Sequence, residues 1–191
     1  MVVPAATRAD ISIVNGMSNY RRNGKFANAG CVAAVHPDQL AGRTVTALEA
    51  LQWLEELEQS FYAFSGDYRA PFCTISDFIN SKEPRSVPET SYPLGLTPAL
   101  LWNMLPPVVT HALREGLKDF DRRLRGYSNG ILLGLESKTS SPIQVLREKN
   151  GVCTGFENLF IAGEGSGYAG GIVSSAADGI RIAMQIVEKE S

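Results

Sequence analysis

A run of glycines near the end of the chain constrains its fold more than any other feature. Residues 158–172 read Asn158-Leu-Phe-Ile-Ala-Gly-Glu-Gly-Ser-Gly-Tyr-Ala-Gly-Gly-Ile172, and Val-Ser-Ser-Ala-Ala-Asp-Gly-Ile180 follows. The apolar run 159–162 predicts a short buried strand. Gly163, Gly165, Gly167, Gly170 and Gly171 then remove side chains where a backbone must bend sharply or touch another group. The small residues beyond predict a helix opening at Gly170, with Ile172, Ala176, Ile180, Ala183 and Val187 as its core-facing stripe. A helix that starts straight after such a turn aims unpaired N–H groups and the positive end of its dipole outward. That is a way to hold a phosphate, a carboxylate or an electron-rich ring, so the turn reads as a cofactor contact.

Taken literally, Gly165-Ser-Gly167-Tyr-Ala-Gly170 satisfies the G-x-G-x-x-G dinucleotide pattern. The pattern also needs a second strand and an acidic residue about 20 residues further on. The sequence runs only to Ser191, and the glycine loop of a methyltransferase fails for the same reason. The turn is therefore expected to close a cofactor domain that opens elsewhere.

Composition narrows the class. Hydrophobic content of 44% and charged content of 20% match a folded globular chain. A net charge of −2 leaves no basic footprint for nucleic acid. No apolar run reaches the ~20 residues of a membrane span, and there is no signal-peptide pattern. Cys31, Cys73 and Cys153 are odd in number and scattered, which argues against a disulfide framework or a Cys metal site. A cytoplasmic protein is expected, with neither nucleic acid nor membrane as partner.

Periodicity predicts strands over 11–14, 30–35, 130–135 and 143–147. It also predicts a helix over 44–64, with Ala47, Leu48, Leu51, Leu54, Leu57 and Phe61 inward and Glu49, Glu55, Glu56 and Glu58 outward. Residues 65–93, rich in Pro, Gly, Ser and Asp, read as a long irregular excursion. Thr97-Pro98 reads as the start of a short helix, and Pro106-Pro107 as its end and the start of another running to about Leu124, with Leu113, Leu117, Phe120 and Leu124 inward. The fold class is α+β, divided into a middle domain over 1–150 and a returning piece of the cofactor domain over 151–191.

Several ordered blocks carry a family resemblance. The run from Phe160 to Ile180 resembles the carboxy-terminal signature of a family of FAD-dependent dehydrogenases, two-domain flavoproteins of the glutathione-reductase class. Glu136-Ser-Lys-Thr-Ser-Ser-Pro-Ile-Gln-Val-Leu-Arg147 resembles the family's Thr-Ser-Ser-Pro segment. Leu105-Pro-Pro-Val-Val-Thr-His-Ala-Leu-Arg-Glu-Gly-Leu117 and Phe120-Asp-Arg-Arg123 resemble its central helices. Val2-Val-Pro-Ala-Ala-Thr7 and Val14-Asn-Gly-Met-Ser18 resemble its middle domain. Family members begin with a Rossmann half that carries G-x-G-x-x-G, and nothing in residues 1–70 resembles it. The resemblance therefore implies the back portion of a flavoprotein, a truncated fragment. It would comprise a substrate-type middle domain (a mixed sheet or barrel with a helical insert) and the closing strand and helix of the FAD domain. It implies FAD in the intact parent, not retained by this chain alone, with NAD(P)H as candidate electron donor and a small-molecule substrate that stays unnamed.

The same resemblance distributes roles. Glu164 would accept a hydrogen bond from the ribityl chain of FAD, or else be an exposed turn acid that complements the helix dipole. Gly163, Gly165 and Gly167 would let the backbone approach the cofactor. Gly170, Gly171 and Ile172 would present N–H groups to the O2/N1 edge of the isoalloxazine, where reduction places negative charge. Tyr168 would cover the flavin, form part of a substrate wall, or simply pack. Thr139, Ser140 and Ser141 would face the ring or a substrate, or form a turn of the Ser/Thr type. Arg147 would meet an anionic substrate, or a carboxylate in a surface ion pair. His36 and His111 fit neither metal-ligand spacing nor a nucleophile–base arrangement. Arg21-Arg22, and Arg122-Arg123 with Arg125, read as solvated faces. Two other classes stay open: an interaction module that has lost its cofactor, and part of a flavoprotein that modifies tRNA.

Overall fold

The computed structural model describes residues 1–138 and 140–190. It is α+β, with two small sheets and no barrel among the described residues. The chain divides into two compact units, one of residues 1–45 and 52–137, the other of residues 46–51 and 138–191.

The first unit is built around β3 (Ala70–Thr74), which is buried along nearly its whole length. β3 pairs in parallel with β4 (Leu96–Pro98) and antiparallel with β5 (Ile131–Leu133), giving the order β4-β3-β5. A proline inside a central strand normally argues against one, because it cannot donate to the ladder. Here Pro71 stands one residue before the first β3–β5 pair, Phe72 with Leu133, and only its carbonyl is used, by the Gly134 N–H at 2.8 Å. The missing donor thus falls at the end of the β3–β5 ladder, outside its paired residues. The expected excursion over 65–93 thus holds the central strand and α3 (Ile75–Asn80), and Thr97-Pro98 lies in β4 rather than at a helix start.

Burial follows strand alternation. One face of β3 joins Phe61, Cys73, Ile75, Phe78, Ala99, Leu101 and Leu117, and the other joins Val14, Ala70, Phe72, Tyr92 and Leu96. Burial in this apolar setting pushes the Cys73 thiol up to about 12, so it packs as a small hydrophobe. α3 starts on a capping box in which the Asp77 N–H donates to Thr74 Oγ1 at 2.9 Å and the Asp77 carboxylate accepts from the Thr74 N–H. α4 (Leu101–Met104) is a single turn, and α5 (Pro107–Arg123) follows it, with Pro107 in its first turn and Arg122 and Arg123 in its last.

α1 (Pro37–Ala41) is short, whereas α2 (Ala47–Ser65) is the long helix that periodicity predicts, except that Ala47 and Leu48, expected inward, are exposed in its first turn. Its Glu58, expected on the solvated face, is instead 1% exposed and accepts from Ser137 Oγ, while its carbonyl accepts from the Ser12 N–H. A buried carboxylate needs a donor such as the Ser137 hydroxyl. β1 (Val2–Pro4) and β2 (Val14–Gly16) pair antiparallel. The strand expected over 11–14 is therefore shifted to Val14–Gly16, and the one expected over 30–35 does not form.

The second unit consists of a tight hairpin around 146–154, the glycine turn and α6 (Ile172–Glu190). The strand expected over 143–147 reduces to one bridge, Arg147 with Cys153. Val152, Cys153 and Ile182 form the buried apolar part. A Cβ at Gly151 would stand 2.6 Å from Ile182 Cδ1, so the hairpin backbone lies directly against α6. No helix among the described residues is long and apolar enough to cross a membrane.

Candidate functional site

The glycine turn is built from two positive-φ residues and a tight coil between them. Gly163 (φ 80°, ψ −159°) and Gly167 (φ 79°, ψ 11°) flank a 3₁₀ turn over Glu164–Ser166. Side chains rarely adopt either conformation. At Gly167 space is also closed, because a Cβ would fall 2.3 Å from the Ile143 carbonyl oxygen. Ser166 is fully buried beneath the turn, its hydroxyl donating to Gly163 O at 2.6 Å while its carbonyl accepts from the Val145 N–H at 3.0 Å.

A buried ionic cluster ties the start of the turn to α6. The Asp178 carboxylate accepts from Arg147 Nη1 (2.9 Å) and Nη2 (3.2 Å), from Arg181 Nη2 (2.9 Å) and from the Gly163 N–H (2.9 Å). The side chains of Arg147 and Asp178 are only 3% and 8% exposed. Arg147 Nη1 also donates to Ile161 O at 3.2 Å, and its guanidinium carbon lies 3.7 Å from the centroid of the Tyr168 ring. Arg147, Arg181 and the Gly163 N–H hold the Asp178 carboxyl well below the usual carboxylate range, and Asp178 in turn raises Arg147. The sign is that of a depressed acid. The stability contributed by ionised Asp178 is present above the ordinary value of 3.8 and is lost on acidification below it.

Each expected site residue now has a place. Arg147 belongs to this cluster rather than to a surface ion pair. Tyr168 covers the Arg147 guanidinium with one face and remains partly exposed. The Ser141 hydroxyl lies 2.9 Å from Ile143 O and 3.2 Å from Gly165 O, which makes it a turn tie. Ser140 is exposed, and Thr139 lies outside the described residues. Glu164 is exposed at the first position of the 3₁₀ turn. No strand forms over 159–162, because Ile161 O and the Gly163 N–H bond to side chains instead of a ladder. α6 starts at Ile172, with Gly170 and Gly171 before it.

The remaining glycines differ in kind from Gly163 and Gly167. A Cβ at Gly165 or Gly170 would meet nothing within 4 Å, and one at Gly171 only Ser174 Oγ at 3.7 Å. None of the three has a positive φ. Among the described residues nothing accepts from the N–H groups of Gly170, Gly171, Ile172 and Val173, which face outward from the start of a 19-residue helix. This surface offers donors, open backbone and the Glu164 carboxylate.

α6 also departs from expectation. Its buried side carries Asp178 and Ile182, while the stripe expected inward is exposed, Ile172 at 92% and Ile180 at 63%. With Val173, Met184 and Val187 it forms one long apolar arc. Sequence reasoning missed Asp178 and Ser166 altogether. The available signal was an aspartate set among alanines and isoleucines in a helix, a position that requires a cationic partner if buried.

Comparison with known proteins places the chain. A protein of Clostridium beijerinckii, itself described only as uncharacterised, is 34% identical over 194 residues, covering 99% of this chain and 36% of the relative. The chain thus spans about a third of that relative's length. The family described as "FAD-dependent protein, C-terminal domain-like" matches residues 1–139, which take in the first unit and stop short of the glycine turn. The chain belongs to this family of FAD-dependent protein C-terminal domains.

Proposed function

We propose that the chain is the C-terminal part of an FAD-dependent oxidoreductase, with its glycine turn and the start of α6 on the ribityl chain and isoalloxazine of FAD. The observation that carries this reading is the set of glycines the chain's own packing does not require. Gly165, Gly170 and Gly171 have ordinary φ values and open space where a side chain would stand, beside unpaired N–H groups. Close approach of an external group accounts for all three. The donor set suits a ring edge that gains negative charge, and the exposed Glu164 carboxylate suits a sugar-alcohol hydroxyl. Bound FAD would supply hydride and electron transfer. The chain's part is to orient the cofactor and favour its anionic reduced form.

The apolar arc of α6 supports the same reading. Contiguous exposed apolar surface of this extent marks an interaction face. Under the proposal that face packs against the FAD-binding half that a protein of the relative's length has room for. On this reading the turn contacts only the ribityl chain and ring, so the 191-residue chain should purify colourless; the yellow absorbance of stoichiometric oxidised FAD would contradict that. In the complete flavoprotein, Glu164→Ala should remove a charged hydrogen bond worth ~1.5–3 kcal/mol and weaken FAD roughly ten- to a hundredfold. An FAD dissociation constant equal to that of wild type would remove Glu164 from the cofactor site.

A further inference from the structure

We propose that Arg147 and Asp178 are positioning residues that hold the glycine turn in one conformation before any ligand arrives. The inference rests on the proposed cofactor reading only for what the turn is held ready to bind.

The geometry is more specific than an ion pair requires. Asp178 Oδ2 serves two partners at once, Arg147 Nη1 and the Gly163 N–H, each at 2.9 Å. Gly163 is the residue at which the chain enters the turn, with φ 80° and ψ −159°. Its N–H bond to α6 therefore sets the direction in which Glu164 and Gly165 leave. Arg147 Nη1 reaches Ile161 O, two residues earlier, so both approaches to the bend are fixed by the same two side chains. On the far side, Tyr168 follows Gly167 and stacks on the Arg147 guanidinium at 3.7 Å. One guanidinium thus touches the chain before and after the turn. Planarity and the five-donor fork of arginine are what allow this, and lysine cannot reproduce it. The arrangement is nearly dry, so these charge-assisted bonds are little screened by solvent.

Such a clasp explains how a loop with five glycines within nine residues avoids the conformational spread that glycine invites. Without it, binding would have to order the turn first, at a cost in affinity.

The test is residue-resolved amide exchange on the 191-residue chain, comparing wild type, Arg147→Lys and Asp178→Asn. Amides at Gly163, Ser166 and Gly167 should exchange at least about tenfold faster in both variants, while those in the last turns of α6 stay protected and report an intact helix. Unchanged exchange at these three amides, in variants whose helix is intact, would overturn the proposal. Arg147→Lys keeps charge and bulk, so it serves if Asp178→Asn unfolds the unit. A second arm adds free FAD at millimolar concentration. Wild-type turn amides should slow, and both variants should need about tenfold more FAD to reach the same protection at a temperature where their α6 amides show the helix still folded, a shift that a purely structural ion pair would not give. Equal FAD requirements in variant and wild type would reduce the clasp to a structural bond. If FAD leaves the wild-type turn unprotected, the cofactor reading fails while the ligand-free exchange still decides the clasp.

Discussion

Gly167→Val should abolish the folded glycine turn while leaving the first unit intact. Two penalties coincide at this position. A β-branched residue at φ 79° occupies a region that non-glycine residues avoid at a cost of ~1–2 kcal/mol. Its Cβ would also sit 2.3 Å from the Ile143 carbonyl oxygen and 2.8 Å from Gln144 Cα. Both obstacles are backbone, which cannot rotate aside as a side chain can. Together they should cost about 3–5 kcal/mol, a large part of any domain's margin. Gly165→Ala and Gly170→Ala are the counterparts, since neither position has a positive φ or a neighbour within 4 Å. They should leave the fold within about 0.5 kcal/mol of wild type. Amide exchange and thermal unfolding of the three variants would read the contrast. A Gly167→Val protein with wild-type protection at Ser166 and Val145 would mean that the turn does not lie against Ile143.

What the sequence disclosed and what it concealed divide by physical cause. The long helices were legible because their apolar residues recur at helical spacing, as in Leu54, Leu57 and Phe61 of α2 and Leu113 and Leu117 of α5, although Phe120 and Leu124, expected on the same inward face, are exposed toward the end of α5. β3 was hidden because Pro71 reads as a strand breaker, and only tertiary pairing reveals that it lies at the end of the β3–β5 ladder, one residue before the first pair. The runs 30–35 and 159–162 have strand composition, yet a strand requires a neighbouring ladder, and among the described residues neither run joins a sheet, a lone bond from Cys153 N–H to Leu159 O aside. Gly163 and Gly167 were legible as turn residues. The cluster beneath them was not, because Arg147 and Asp178 stand 31 positions apart and single-sequence spacing cannot join them. Glu58 shows the same blindness in reverse: placed among three other glutamates, it reads as surface, but its partners Ser12 and Ser137 come from distant segments.

The second large effect concerns the apolar arc of α6, and its size should depend on what surrounds the helix. Ile180 is 63% exposed, between Ala176 and Met184 on the arc and away from Asp178 and Ile182 on the buried side. In the 191-residue chain, Ile180→Asp therefore removes no packed side chain and strands no charge. Its unfolding free energy should stay within about 0.5 kcal/mol of wild type, and any self-association should diminish because the patch is interrupted. In the complete flavoprotein the proposed function places this arc against the FAD-binding half, and the same carboxylate would then be buried without a partner. That should cost several kcal/mol, on the order of 3–5, through desolvation alone. The variant should lose FAD and unfold at markedly lower denaturant, whereas Ile180→Val should be nearly silent in both settings. Denaturant titration and FAD binding, measured in parallel on the two proteins, provide the comparison. If Ile180→Asp leaves the complete protein with wild-type stability and FAD affinity, the arc faces solvent there as well, and α6 is not the seam between this chain and the cofactor domain.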